Sequence, residues 1–219
     1  MRVFSNTSSL LSLLLLLGGS QEGEASPALE KRQTTGQYCD TASGMCYLEY
    51  SWGPTAPVFR VAVPDTAATD TDFDTLLQIV SPASFGWVGF GWGGRMTLNP
   101  LTVVWPNGQS ATVSSRWSSG RTLPQLYPEA TYRTVGASRN STHWTVETVC
   151  SGCSKWSGGR LSTTGVNSFA WAVSETTVAQ PANTASSFQV HDNIGMFSES
   201  LEPGTVPAAQ FEEHVGGAN

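Results

Sequence analysis

From Cys39 onward, apolar and polar residues alternate with a period of two, and the runs are broken by Gly, Pro, Asn and Ser. That period marks strands with one buried face. Strands are expected at Cys46–Trp52, Val58–Val63, Thr75–Val80, Phe85–Trp92, Leu101–Trp105, Ala111–Trp117, Thr142–Cys150 and Asn167–Val173. Phe59, Val61 and Val63 then share a face opposite Arg60 and Ala62. Trp144 and Val146 fall opposite His143, Thr145 and Glu147, and Phe169, Trp171 and Val173 line up. So many short strands separated by turn signals predict an all-β fold, an antiparallel sandwich or barrel. Asp65–Asp74 reads as an acidic loop, Thr176–Ser187 as a polar loop around Pro181, and the stretch from Leu201 as an acidic tail that leaves His214 solvated. Helical periodicity is weak except near the N-terminus.

That N-terminus is an address. Arg2, the run Leu10–Leu17 and the small residues after it form a secretory signal over residues 1–19, with an apolar core short for a bilayer span. Residues 20–32 end in Lys31-Arg32, a dibasic pair expected to be cut in the secretory pathway. A single domain, residues 33–219, would remain. Cleavage removes three basic and three acidic residues, so the net charge stays at −6. Asn140-Ser141-Thr142 is an N-glycosylation sequon, consistent with a secreted, extracellular chain.

Composition narrows the function. Only 13% of residues are charged, against 8 Trp, 22 Gly and 12 Pro, and Lys31 and Lys155 are the only lysines. Typical soluble domains carry about 25% charged residues. A chain at −6 lacks the basic face that nucleic acid requires. With its one long apolar run assigned to the signal, nothing else suggests a membrane partner.

The chemistry-bearing residues are few. Cys39 and Cys46, and Cys150 and Cys153, match no common zinc spacing, and a secreted chain favours disulfides. Four cysteines allow three pairings, of which two local bridges are one. Cys153 is followed by Ser154, which excludes covalent c-type haem attachment through C-x-x-C-H. No G-x-S-x-G elbow accompanies the three histidines, so no catalytic residue is identified. Gly89–Gly94 matches a dinucleotide fingerprint only by chance, because the surrounding pattern is β without βαβ. Two residues stand out. His191 lies in the aromatic-flanked segment Phe188–Phe197, and Met96 follows Gly91-Trp92-Gly93-Gly94-Arg95. Glycine permits close approach to a flat ligand, and thioether with imidazole suits low-spin haem iron. By composition alone, a non-catalytic carbohydrate-binding sandwich with exposed Trp platforms fits equally well.

Three blocks break the tie. They are Trp92-Gly93-Gly94-Arg95-Met96 through Leu101–Gly108 to Ser114-Ser115-Arg116-Trp117; Asn140–Trp144 through Cys150-Ser151-Gly152-Cys153-Ser154-Lys155-Trp156; and Ser187–His191 through Phe197. In order and spacing, roughly from Cys46 to Phe197, they resemble the cytochrome domain of fungal cellobiose dehydrogenases and stand-alone iron-reductase-type cytochromes. The resemblance implies an immunoglobulin-like β-sandwich holding one non-covalent haem b, with Met96 and His191 as axial ligands. It also implies a Cys150–Cys153 disulfide, and it does not extend to Cys39 and Cys46. Where the family often has a Tyr near a haem propionate, this chain has Arg121, which could pair with that carboxylate. The function implied is one-electron transfer in lignocellulose degradation. The donor would be a flavin-dependent sugar dehydrogenase; the acceptor, a copper polysaccharide monooxygenase, Fe(III) or a quinone. With no flavin domain in the sequence, electrons are expected to arrive in trans, unless the chain is a piece of a longer product.

Overall fold

In the computed structural model, which describes Met1 and residues 33–217, the alternation becomes two large antiparallel sheets, beside a separate two-stranded one at Lys155–Arg160. The expected signal and pro-segment, apart from Met1, lie outside the described residues. In chain order the strands are β1 (Thr34–Cys39), β2 (Cys46–Ser51), β3 (Val58–Pro64), β4 (Thr75–Pro82), β5 (Trp87–Gly91), β6 (Leu101–Asn107), β7 (Ser110–Trp117) and β8 (Gln125–Leu126). They continue with β9 (Thr131–Arg139), β10 (His143–Ser151), β11 (Lys155–Trp156), β12 (Gly159–Arg160), β13 (Val166–Ser174), β14 (Asn193–Ser200) and β15 (Thr205–Val206). Helix α1 (Ala208–Gly216) closes the described chain. It is too short to cross a membrane.

The first sheet runs β1-β2-β3-β4-β10-β9, and β15 pairs in parallel with β3. The second runs β14-β13-β5-β6-β7-β8. All eight expected strands are present. The alternating faces meet as predicted: Phe59, Val61, Leu77, Ile79, Trp144 and Val146 of the first sheet join Val88, Phe90, Val104, Phe169, Trp171 and Phe197 of the second in one core. Burying each such side chain contributes roughly 1.5–3 kcal/mol.

On its outer face the first sheet carries a polar row. The register aligns Glu49, Arg60, Gln78 and Glu147 on neighbouring strands. Arg60 Nε donates to Glu49 Oε2 at 2.7 Å, and its Nη1 donates to Gln78 Oε1 at 2.7 Å. The Tyr47 hydroxyl donates to Glu147 Oε1 at 2.6 Å. Burial and that carboxylate push the Tyr47 phenol well above its usual range.

The expected tail is instead a folded cover for this face, and His214 is not solvated. Phe211 and Val215 of α1 pack on Met45, Tyr47, Ala62, Leu76 and Val149. His214 Nε2 lies 3.0 Å from Glu147 Oε2. Polar contacts fix both helix ends. Asp65 Oδ1 accepts the Ala208 N–H at 2.9 Å, and Arg133 Nη1 donates to the Val215 carbonyl at 2.7 Å. Phe211 is 1% exposed. Phe211→Ala should therefore cost about 3–5 kcal/mol in urea unfolding, as for other buried aromatics. A loss below about 1 kcal/mol would contradict this docking.

Candidate functional site

The site is built on the outer face of the second sheet. The core takes Val88 and Phe90 of β5 and Phe169, Trp171 and Val173 of β13, so the residues between them point outward. Register aligns Met196, Ala170, Gly91, Leu101 and Arg116 in one row, and Ile194, Ala172, Gly89, Val103 and Ser114 in the next. Small residues at the centre and larger ones at the sides make a trough. A Cβ at Gly91 would sit 3.0 Å from the Arg95 carbonyl oxygen and 3.3 Å from Ala170 Cβ and Leu101 Cδ2. A Cβ at Gly89 would sit 3.4 Å from Trp87 Cζ3 and 3.7 Å from Ala172 Cβ. Any side chain at these two positions would therefore fill the trough. Its apolar rim is open: Ile194 is 58% and Met196 64% exposed.

Met96 is carried by the loop from β5 to β6, at one end of the trough. Asn99, 1% exposed, organises that loop. Its Oδ1 accepts the Gly93 N–H at 2.9 Å, and its Nδ2 donates to the carbonyls of Arg95 at 2.8 Å and Thr97 at 2.9 Å. One buried amide thus grips the backbone on both sides of Met96. Gly94 has φ 74°, and Leu98 has φ 60°, a conformation uncommon for residues other than glycine. The Leu98 N–H is held by the Ser118 carbonyl at 2.8 Å. Beneath the loop, Trp92 Nε1 donates to Thr102 Oγ1 at 2.9 Å, Thr102 bonds to the Tyr132 hydroxyl at 2.7 Å, and Tyr132 lies 3.2 Å from Cys153 Sγ. Cys153 is disulfide-bonded and has no S–H. Trp92 therefore donates to Thr102, and sulfur can only accept from Tyr132. Burial pushes the Tyr132 phenol well above its usual range.

His191 ends the loop that crosses the sheet between β13 and β14. The sheet holds this loop by its carbonyls. Trp105 Nε1 and Thr112 Oγ1 donate to Pro181 O at 2.8 and 2.5 Å. Ser114 Oγ donates to Thr184 O at 2.7 Å. Arg116, 3% exposed, donates through Nη2 to Thr184 O at 2.8 Å and Ser186 O at 2.7 Å, through Nη1 to Pro124 O at 3.0 Å, and through Nε to Ser114 Oγ at 2.7 Å. Burial lowers its guanidinium pKa. The Phe188 ring lies 4.9 Å from that of Trp87, with the Arg116 guanidinium 5.3 Å from its centre. Beyond His191, Asp192 Oδ2 accepts the Glu175 N–H at 2.7 Å and the Ser174 hydroxyl at 2.8 Å, and these bonds hold its carboxyl below the usual range.

The two candidate ligands thus flank one surface. His191 precedes β14 where Asn193 faces Val173, and Met96 follows β5 where Gly91 faces Ala170. Three residues of β13 separate these points, about 10 Å along the strand. Arg121 is exposed between β7 and β8, in the loop that holds Leu98 through Ser118. The remaining histidines are elsewhere: His214 on Glu147, and His143 at the exposed β9–β10 turn. Asn140, also exposed there, accepts the N–H groups of Thr142 and His143 at 2.9 and 2.8 Å. Both local disulfides form. Cys39–Cys46 bridges a register pair of the β1–β2 hairpin, and Cys150–Cys153 spans the turn after β10. The eight Trp are buried or half-buried, Trp52, Trp117 and Trp156 being the half-buried ones, so no fully exposed Trp platform of the kind considered from composition is present.

Asn99 and Arg116 were not identified from sequence as site residues. A hint existed for Arg116, an arginine alternating with Ser114 in a strand of a charge-poor chain.

A sandwich with a shallow trough between a methionine loop and a histidine loop is the arrangement that the resemblance to those cytochrome domains implies. Comparison with known proteins agrees. The model of the cytochrome domain of cellobiose dehydrogenase matches residues 38–213, and the chain belongs to that family. It is 26% identical over 167 residues to a pyrroloquinoline quinone-dependent pyranose dehydrogenase of Coprinopsis cinerea, covering 74% of this chain and 23% of that protein. The chain thus spans about a quarter of the length of the curated relative it matches. Its fold is similar to the cytochrome b domain of Coprinopsis cinerea pyranose dehydrogenase, with a TM-score of 0.77 at 23% identity over 84% of this chain and 97% of the other. It is also similar to the cytochrome domain of Myriococcum thermophilum cellobiose dehydrogenase, with a TM-score of 0.75 at 26% identity over 84% and 96%.

Proposed function

We propose that this chain binds one haem b, with Met96 and His191 as axial ligands, and carries single electrons from a sugar dehydrogenase to an extracellular acceptor. The observation that carries this reading is the Gly/Ala-floored trough between a thioether and an imidazole, both on loops held by buried polar groups. The donor set suits low-spin haem iron, and the open apolar walls suit a flat apolar ring. Bound there, haem would supply a one-electron ferric/ferrous couple, with the thioether favouring the reduced state relative to two nitrogen ligands. Asn99 positions Met96, Arg116 holds the loop of His191, and Arg121 offers a guanidinium to a haem carboxylate. Were Met96 and His191 both to hold the iron, no place would remain there for a substrate, and outer-sphere transfer would be favoured over substrate chemistry. The donor belongs to the class of flavin or quinone-cofactor sugar dehydrogenases; the acceptor is a copper polysaccharide monooxygenase, Fe(III) or a quinone. Secretion, with a glycan on Asn140, completes the reading.

The test is a spectrum. The purified chain, supplied with haem and reduced with dithionite, should show a sharp low-spin α band and a Soret band. A folded protein that takes up no haem would refute the proposal.

A further inference from the structure

A second cavity lies beside the trough at the β7–β8 edge, with Leu126 in its lining. Register pairs Arg116 with Leu126 on the trough face, so the next pair, Trp117 with Gln125, points to the opposite face. There the Trp117 and Tyr127 rings stack on each other, with ring centres 4.9 Å apart and planes inclined by 22°, and half-buried Trp117 gives one wall of the cavity. The cavity is about 180 Å³, lined by that wall, Leu123, the Gln125 amide and the hydroxyls of Ser119 and Thr122.

Three features define what would bind. The volume is below the ~300–1,000 Å³ of drug-sized sites and suits a single six-membered ring. No lining residue carries a formal charge: burial and a hydrogen bond to Glu129 push the Tyr127 phenol up to about 12, so it stays neutral. An apolar aromatic face bordered by hydroxyl and amide groups complements a ring with C–H faces and hydroxyl edges. The wall is also preorganised. Ser115 Oγ donates to the Tyr127 carbonyl at 2.7 Å, Gln125 Nε2 donates to the Leu123 carbonyl at 2.9 Å, and the Ser118 hydroxyl donates to the Gly120 carbonyl.

We propose that this cavity is a binding subsite for one neutral pyranose unit of a polysaccharide. The Ser118–Leu98 bond places it against the Met96 loop. A bound glycan would thus lie beside the loop that carries Met96. The subsite does not depend on the haem reading.

The test uses the haem-loaded chain and cellotetraose as the probe, followed by calorimetry and by saturation-transfer NMR. Saturable binding is expected in the roughly millimolar range appropriate to a one-ring site. Trp117→Ala should weaken it at least about tenfold, the cost of losing a stacked aromatic, and Trp117→Phe should weaken it less. Thr122→Arg, at the exposed rim, should block the mouth without disturbing the wall. The absorbance spectrum of each sample tests the haem separately. The proposal falls if cellotetraose shows no saturation up to about 20 mM, or if Trp117→Ala and Thr122→Arg both bind as the parent does. It also falls if benzoquinone occupies the Trp117 site more tightly than the sugar.

Discussion

Replacing His191 by Ala should abolish the low-spin haem spectrum, and Met96→Ala should leave a five-coordinate haem of changed colour and lowered potential. The loss of haem affinity should exceed the ~10–100-fold that removing a supporting residue costs a metal site. Structure limits the substitutes. Met45 is fully buried beneath α1, His214 is engaged by Glu147, and His143 is at the β9–β10 turn. The one methionine that could compete is Met196, which stands on the trough face opposite Ala170. Met196→Ala should therefore leave the spectrum low-spin. If Met196→Ala loses it while Met96→Ala keeps it, the ligand assignment moves from the β5–β6 loop to β14.

Arg116→Ala should be the most damaging change at a residue that touches no ligand. It leaves the Ser186 and Pro124 carbonyls without their buried donor. Each unsatisfied acceptor costs about 1–3 kcal/mol, so about 2–6 kcal/mol is expected for the two, a large share of a domain's total stability. The second effect is specific. With the loop loosened, His191 is no longer held over the sheet, and haem should dissociate at denaturant concentrations below global unfolding. Arg116→Lys should recover little, because an ammonium cannot reproduce a planar fork reaching four acceptors. Denaturation followed by both the Soret band and far-UV circular dichroism separates the two effects. Coincident loss of both signals at the parent's midpoint would contradict this role for Arg116.

The interior strands were legible in the sequence because burial on a sheet writes alternation directly: Phe59-Arg60-Val61 and Phe169-Ala170-Trp171 need no partner to be read. The long strands that escaped, β1, β9 and β14, are all edges. They bury little, and sequences such as Thr34–Cys39 carry almost no period-two signal. Helix α1 escaped for a related reason. It rests on the sheet through Phe211 and Val215, while Glu212, Glu213 and His214 between them read as a solvated tail. His214 reaches Glu147, 67 residues earlier, a contact no local pattern announces. At the site, Met96 and His191 could be proposed from the sequence because their side-chain chemistry is distinctive and the family blocks single them out. Asn99 and Arg116 act on backbone carbonyls, and a carbonyl leaves no trace in a sequence.

That last property has an evolutionary reading. The loop carrying His191 is fastened at Pro181, Thr184 and Ser186 through main-chain oxygens, by Trp105, Thr112, Ser114 and Arg116 on the sheet beneath. The fastening residues are tied to their identities, whereas the exposed Thr184 can be exchanged without losing its carbonyl. Mutational freedom is therefore concentrated on the loop's outward side chains, close to the site. A lineage could remodel the surface that meets a redox partner without disturbing the position of its histidine.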